Sequence, residues 1–526
     1  MSMQSPPPLD ELVQQSLLKS ETIARAALHD LPTLSFHDLF MNAFMGEHNE
    51  VLKAMVQAWP FPYLPLMTLM DLWKKKTPHV QFGDITPQQR NLSTLKALLE
   101  GLDRQLSWKA HKSRWKLQVL DWRDVHRDFW TGGPRAVSAA LSAVARSKEM
   151  GKPGLSDKKP NLTILTHLCF KAWCPTCSTH DTLQLCLLKW ARQRKASVHL
   201  YCEKVMIKSC AGFKILKLLR AVRLDSIHEL GVFSYWDEKR MKTFVPQLKK
   251  MKNLHRLHFS SLRPKLLNSA SKNNWYSLMY ALHLGQLQNL RELHVDDLFF
   301  LEANLHKIIR SPIHLEALSV SSSPLKESDL KHLSQCASTS QLKSLTLRRI
   351  SMKGFKPDTL QVLLDKLASN LETLVLQHCD LIDSQILAIL PALSLCTQLK
   401  TFSCYGNHFS LGTLQVLLHL TAGLSQLSQG LYPAPLESYE SNVPAQFVYP
   451  ELFAQVRAEL TQVLKVLRPS LRVQTCTYSY NICMMYQYYS LDPSGDWEVT
   501  EEHRYQSNLR CYNCVHSQHS EGIFFI

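Results

Sequence analysis

Apolar residues along the middle of this chain recur in one frame, Leu-x-x-Leu-x-Leu, followed by a small or amide residue. The clearest copy begins at Leu371, and its small residue is Cys379. Strict alternation of apolar and polar residues predicts a short strand, and the spacing of leucines over 358–367 predicts a helix before this copy. Six further copies begin at Ile227, Leu254, Leu290, Leu315, Leu342 and Leu399.

The spacing of these copies indicates the class of fold. They lie 25–29 residues apart, except for an interval of 36 residues between Leu254 and Leu290. We interpret the polar stretch 268–275 within that interval as a loop insertion. A period near 28 with a full helix is typical of ribonuclease-inhibitor-like horseshoes. The sequence therefore predicts an α/β leucine-rich repeat solenoid, with strands on a concave face and helices on the convex face.

The segments on either side of the repeats are expected to close the exposed ends of the hydrophobic core. Patterns there predict two or three helices over 9–60, single strands over 116–122 and 196–203, and a helix over 450–467. Four parts result: a helical N-terminal cap, a basic region of degenerate repeats with a flexible loop, the regular repeats, and an irregular C-terminal cap with a tail. Their respective bounds are 1–100, 101–225 (loop 132–160), 226–425 and 426–526.

The amino-acid composition further restricts the class of protein. Of the 526 residues, 88 are leucine and 17 are glycine, which argues against a glycine-rich nucleotide-binding enzyme. We find neither a secretory signal pattern nor a continuous apolar stretch of about 18 residues, so we expect no membrane span. The 14 cysteines are then expected to be reduced thiols of a cytoplasmic or nuclear protein.

The charge of the chain is unevenly distributed. The net charge is +16, and residues 101–250 alone contain 29 basic and 12 acidic side chains. Such a region could steer an acidic partner or nucleic acid, or it could be a solvated basic surface. Because no nucleic-acid-binding motif accompanies it, we expect no sequence-specific recognition of nucleic acid.

Candidate metal ligands occur in two clusters. Thiolate and imidazole groups at short spacing can hold zinc, but neither spacing matches a zinc module that we recognise, so no metal or cofactor is predicted. The motifs of nucleotide-binding, hydrolytic and metalloprotease enzymes are also missing from the sequence, which favours a binding protein over an enzyme. The two clusters are Cys169, Cys174, Cys177 and His180, and Cys511, Cys514, His516 and His519.

Four segments outside the repeats resemble the PRAME family, the leucine-rich repeat proteins named after preferentially expressed antigen in melanoma. They are QSLLKSETIARAALHDLP (15–32), LFMNAFMGEHNEVLKAMVQAWPFPYLPL (39–66), RWKLQVLDWRDVHRDFW (114–130) and YPAPLESYE (432–440). The resemblance implies a substrate-recognition adaptor of a cullin-2 RING ubiquitin ligase, which promotes proteasomal degradation of a bound target. It also implies repression of transcription, differentiation and apoptosis, and support of proliferation.

The resemblance places the contacts with the ligase in the N-terminal helices. Elongin C, paired with elongin B, and cullin-2 are the implied partners, and amphipathic helices that present leucines to a groove are a known mode of binding. No cysteine follows the opening residues, although such a docking helix often contains one. The alternative is that these apolar residues only cap the repeats. The implied contact residues are Ser16, Leu17, Leu18, Leu31, Pro32 and Phe36.

The unknown protein target is expected on the concave face. The chain also contains LxxLL strings, typical of nuclear-receptor binding, at Leu95, Leu360 and Leu414, and we interpret these leucines as core. The alternative function is a corepressor or inhibitor module that uses the concave face without a ligase; only the adaptor requires elongin C to co-purify. The predicted target-binding residues are His255, His294, Glu316, Lys343, Glu372 and Lys400.

Overall fold

The structure is a computed structural model of the 526-residue chain. The chain forms two compact units, Met1–Ser234 and Tyr235–Ile526, which are described separately below. The described residues are 9–70, 87–107, 116–125, 127–133, 162–171, 178–208, 219–220, 222–233, 238–260, 270–309, 314–439, 449–467, 472–479, 485–491 and 496–500.

The first unit combines helices with a parallel sheet. Its strands pair in the order β1-β2-β3-β4-β5. The strands are β1 (Tyr63–Pro65), β2 (Val119–Asp121), β3 (Leu162–Lys171), β4 (Val198–Lys208) and β5 (Glu229–Phe233). The helices are α1 (Leu9–Lys19), α2 (Glu21–Ala27), α3 (Thr33–Met45), α4 (Asn49–Gln57), α5 (Pro87–Ser107), α6 (Asp128–Thr131) and α7 (Ser178–Gln193).

The N-terminal cap has four helices over 9–60, where the sequence predicted two or three. The first predicted helix is divided because Ser20 adopts an extended conformation and its hydroxyl accepts a hydrogen bond from the Ile23 N–H at 3.5 Å, which starts α2. Aromatic rings then pack the cap onto the unit: the Trp59 ring lies edge-on to Phe40, with ring centroids 4.8 Å apart, and is fully buried. This packing makes the helical cap part of the core of the first unit.

The second unit contains the regular repeats. Strands β6–β13 are parallel, and β14 and β15 continue the sheet antiparallel. The strands are β6 (Arg256–Ser260), β7 (Glu292–Asp296), β8 (Ala317–Ser321), β9 (Ser344–Arg348), β10 (Thr373–Gln377), β11 (Thr401–Ser403), β12 (Gln429–Pro433), β13 (Arg472–Ser479), β14 (Met485–Leu491) and β15 (Trp497–Thr500). The helices are α8 (Glu238–Leu248), α9 (Ala270–Leu284), α10 (Leu305–Ile308), α11 (Glu327–Gln335), α12 (Asp358–Leu367), α13 (Asp383–Ser394), α14 (Leu411–Ala422) and α15 (Pro450–Leu467).

Each predicted copy of the leucine frame coincides with a strand, which confirms the leucine-rich repeat. Leu345 of β9 is in register with Leu374 of β10, and Leu374 with Phe402 of β11, so one buried row crosses the sheet. Residues that alternate with this row are half-exposed in β7, β8 and β9, as a strand with one packed face requires. The leucines predicted to be core, namely 342, 345, 347, 371, 374 and 376, are all buried.

At two of the turns, the small or amide residue that follows the strand binds the backbone. Asn407 accepts hydrogen bonds from the N–H groups of Cys379 and Leu381 at 3.0 and 3.1 Å. Its amide nitrogen donates to the carbonyls of Leu376 and Cys404, both at 2.6 Å. Ser323 has the same position in an earlier repeat, where it accepts from a neighbouring N–H. These residues satisfy buried backbone groups at the turns.

One residue before that position, five consecutive repeats adopt a left-handed backbone conformation. Only Gly406, with φ of 73°, avoids the steric cost of a Cβ atom in this conformation, about 1–2 kcal/mol per residue. The turn in each of these five repeats therefore contains a residue with left-handed backbone angles, irrespective of its side chain. The others are Asp297 (φ 55°), Ser322 (φ 48°), Arg349 (φ 50°) and His378 (φ 52°).

Two parts of the second unit differ from the sequence analysis. The predicted loop insertion at 268–275 is wrong, because α9 begins at Ala270 and the additional residues lengthen that helix. The C-terminal segment adds strands β13–β15 that were not predicted, while the predicted helix over 450–467 is confirmed as α15. The flexible loop expected over 132–160 lies outside the described residues from position 134 onward.

Candidate binding surfaces

The predicted ligase-contact residues differ in their exposure to solvent. Ser16 and Pro32 are exposed, whereas Leu18 and Leu31 are half-buried. Leu17 is 5% exposed, and Phe36 is fully buried with its ring centroid 5.8 Å from that of Trp59. The prediction that Leu17 and Phe36 contact a partner therefore conflicts with their packing in the helical cap, because a buried side chain is not available to a second protein.

Other apolar side chains on the same helices are exposed. On α1, Leu9, Leu12 and Val13 lie on the face that also carries Ser16, three and four positions apart. Ile23 of α2 is 52% exposed and Leu34 of α3 is 47% exposed. The family resemblance selected Leu17 by its position after Ser16, and the sequence of α1 does not indicate which side of the helix packs inward. We name these five side chains the N-terminal apolar surface.

The first unit also contains a buried charged network. The Tyr63 hydroxyl donates to Asp121 at 2.7 Å, and Asp121 is fully buried. The Arg123 guanidinium donates to Asp121 at 2.7 Å and to Glu203 at 2.8 Å. Because each charge faces an opposite charge, the network connects β1, β2 and β4 instead of presenting a reactive group.

The electrostatics of this network follow from its partners. A hydrogen bond from His167, and then the charge of Arg123, lower the pKa of Glu203 to about 2. Burial, with the nearby Asp121 carboxylate, raises the pKa of Tyr63 above its ordinary value. A neutral phenol and two carboxylates around one guanidinium are a stable arrangement. Sequence reasoning missed this network, although the string Asp121-Trp122-Arg123 places its central ion pair two residues apart.

On the second unit, four of the predicted target-binding residues form a row at the start of consecutive strands. The Lys343 ammonium lies 3.1 Å from Glu316, and the Lys400 ammonium lies 2.6 Å from Glu372. The hydrogen bond from Lys400 lowers the pKa of Glu372, and the charge of Lys343 contributes. We name this row the ion-pair ladder. Its four charges alternate in sign and are already neutralised by one another.

Of the remaining two predicted residues, His255 continues this row beyond Arg291, whereas His294 lies within a strand. His255 is exposed and precedes β6, whereas His294 lies within β7. The His294 ring is 5.6 Å from the ring of His258, and its Nε2 lies 3.5 Å from the Glu292 carboxylate. The structure therefore brings His294 into a polar cluster on β6 and β7 and does not bring all six predicted residues to one site.

The outer face of β8–β11, the face opposite the buried leucine row, is lined mainly by small side chains. All of residues 314–439 are described, and Arg348 is the single charged residue at the outer positions of these four strands. Small hydroxyl side chains leave the strand backbone close to the surface, so a partner can approach the sheet closely. The small residues are Ala317, Ser319, Ser321, Ser344, Thr346, Thr373, Thr401 and Ser403.

The other sequence motifs are structural or lie outside the described residues. The leucines of all three LxxLL strings are buried, in agreement with the core interpretation. Within the described part of the chain, no group of three or more His, Cys, Asp or Glu side chains could hold a metal ion, and no helix has both the length and the apolar character needed to cross a bilayer. Cys174, Cys177 and the tail cluster lie outside the described residues.

Repeated units of strand, backbone-binding turn and helix, stacked through rows of leucine, define a leucine-rich repeat protein. That architecture is typical of binding proteins. The sequence of the PRAME N-terminal domain matches residues 6–130, and that of the PRAME C-terminal domain matches residues 162–496. The chain belongs to the PRAME family.

Individual relatives cover almost the whole chain. Human PRAME family member 12 is 37% identical over 498 residues, which are 94% of this chain and 97% of the relative. Human PRAME family member 20 is 38% identical over 481 residues, which are 91% of this chain and 96% of the relative. Among solved structures, an internalin from Listeria monocytogenes matches with a TM-score of 0.31 and 12% identity over 72% of this chain and 92% of the internalin. The fold assignment rests on the repeats themselves.

Proposed function

We propose that this protein is a substrate-recognition adaptor of a cullin-2 RING ubiquitin ligase. The N-terminal apolar surface binds elongin C, with elongin B and cullin-2 completing the complex, and the outer strand face of the second unit holds a target for proteasomal degradation. The protein positions the target relative to the ligase and catalyses no reaction itself. Membership of the PRAME family and the presence of two separate surfaces support this proposal.

The observation that carries the proposal is the exposure of the N-terminal apolar surface. The cap already buries Leu17, Phe36 and the aromatic cluster, so its own core is complete without the exposed side chains. Ile23 is 52% exposed in the seven-residue helix α2, whose buried residue is Ala24. Exposed aliphatic residues on adjacent helices are the kind of anchor that a hydrophobic groove of a partner accepts.

Co-purification of elongin C with the tagged full-length chain tests the proposal. Replacing Ile23 by Asp should abolish recovery of elongin C, since truncating a central anchor typically weakens binding by about thirtyfold or more. The matched control is Val362→Asp on α12, where the wild-type side chain is 53% exposed, and this variant should recover elongin C normally. Both variants should unfold at the wild-type temperature.

The outcomes separate the two functional classes. Wild-type protein that recovers a target but no elongin C would favour the corepressor or inhibitor module and would reject the adaptor. Equal loss of elongin C in both variants would show that the N-terminal apolar surface is not the contact.

A further inference from the structure

The end of the outer strand face at β9–β11 differs from the rest of the sheet. Arg348 occupies the last outer position of β9, and Arg349 follows it in the left-handed conformation with 45% of its side chain exposed. The Arg349 guanidinium donates to the Ser322 hydroxyl at 2.8 Å and lies 4.0 Å from Asp296. Two consecutive arginines therefore lie at one edge of a surface whose outer positions carry no other charge from β8 to β11.

The charges of both arginines affect the pKa of the neighbouring His378. Burial, then the charges of Arg349 and Arg348, lower the pKa of His378 to about 4. His408 lowers this pKa as well, and the carboxylate of Asp380 opposes them. The ring is thus neutral at physiological pH, and the positive charges around it dominate. Such a position favours an anionic group over a cationic one.

A buried amide beside the arginines is incompletely hydrogen-bonded. Gln377, the last outer residue of β10, is 2% exposed, and its Nε2 donates to the Ser403 hydroxyl at 2.6 Å. Its Oε1 is buried and has no hydrogen-bond partner among the described residues. A buried polar atom without a partner is costly, but at 2% exposure Gln377 is not available to a second protein. The half-buried Arg348 and the exposed Arg349 are the groups of this edge that a partner can reach.

We propose that Arg348 and Arg349 receive an acidic segment of the target protein. Carboxylates of the segment pair with the two guanidinium groups. The small outer side chains of β8–β11 let the segment lie close to the sheet. The four strands span about 14 Å, so four or five extended residues cross them. The ion-pair ladder has no net charge and contributes little to the binding of the segment. This inference rests on the proposed function, because it specifies which target the strand face selects.

Fluorescence anisotropy with the full-length chain tests the inference. The probes are labelled peptide pools of about ten residues with alternate positions occupied by Glu and Asp, by Gln and Asn, or by Lys. The acidic pool should bind more tightly than the other two, and its affinity should fall as salt rises. Replacing both Arg348 and Arg349 by Ala should weaken the acidic pool by about tenfold or more.

Two controls keep the result interpretable. The matched variant Lys343→Gln with Lys400→Gln removes the same number of positive charges from the opposite edge of the strand face, and it should change the affinity by less than about threefold. If the double arginine variant unfolds at a lower temperature, the single variant Arg349→Glu replaces it, because that side chain is half-exposed. Equal losses in the arginine and lysine variants would overturn the inference.

Further outcomes distinguish this site from the adaptor role. Tighter binding of a phosphoserine pool or of duplex DNA than of the acidic pool would show that the edge selects phosphate and would refute the carboxylate assignment. Recovery of elongin C without binding of the acidic pool would reject the site and leave the proposed function standing. Binding of the acidic pool without recovery of elongin C would establish the site and reject the adaptor.

Discussion

Replacing Asn407 by Ala should destabilise the repeats around it strongly, although the residue is polar and contacts no ligand. Its side chain is 2% exposed and makes four hydrogen bonds to the backbone of two successive repeats. Alanine leaves the N–H groups of Cys379 and Leu381 buried without an acceptor. Each such group costs about 1–3 kcal/mol, and the carbonyls lose a donor in addition. The expected loss of stability is therefore about 3 kcal/mol or more.

Hydrogen exchange measured by mass spectrometry locates this loss. The exchange protection of peptides that include Cys379 and Leu381 should fall by about two orders of magnitude in the Asn407→Ala variant. Asn407→Ser should show an intermediate loss, because Ser323 accepts a backbone hydrogen bond at the equivalent position. The control is Asn370→Ala, whose amide donates to the Ser340 carbonyl at 3.2 Å in an exposed position. A loss no larger than in this control would refute the reasoning.

Three further perturbations test the packing, the turns and the buried network. Leu374→Ala should lower the free energy of unfolding by about 2–5 kcal/mol in urea titration, because the side chain is fully buried. Gly406→Ala should lower the thermal midpoint, because φ is 73° and the new Cβ would clash with the His378 ring; Gly412→Ala, where the space is open, should not. The ionised Glu203 carboxylate stabilises the fold, because folding lowers its pKa from 4.5 to about 2. This stabilisation is complete above pH 4.5 and is lost as the pH falls towards 2. Glu203→Gln should therefore weaken the dependence of the thermal midpoint on pH in that window.

The strands of the repeat could be predicted from sequence because the alternating apolar residues of the leucine frame all lie on one face of a strand. Leu345, Leu374 and Phe402 must share a face, and a parallel register then stacks them. The polar stretch 268–275 was misread because polarity alone does not distinguish a loop from the polar first turn of a helix. The strands after position 470 were missed because their tyrosines do not alternate with polar residues in a way that marks one packed face.

The candidate surfaces were harder to predict because they depend on which residues the fold leaves uncovered. Leu17 and Leu12 are equivalent as leucines in an amphipathic helix, and only packing against the rest of the cap separates the buried one from the exposed one. Glu316 and Lys343 each precede one of two adjacent strands, but their mutual pairing requires the 27-residue repeat to bring them side by side. The network of Asp121 and Glu203 joins residues 82 positions apart, for which the sequence has no local signal.

The ion-pair ladder has a consequence for how the number of repeats can change. Glu316, Lys343, Glu372 and Lys400 alternate in sign from one repeat to the next. Deleting the single repeat that carries Lys343 would place Glu316 beside Glu372, and duplicating one repeat would likewise juxtapose two like charges. Deleting two adjacent repeats would instead place Glu316 beside Lys400 and restore an attractive pair. Along this edge of the sheet, the unit that can be gained or lost without electrostatic conflict is a pair of repeats.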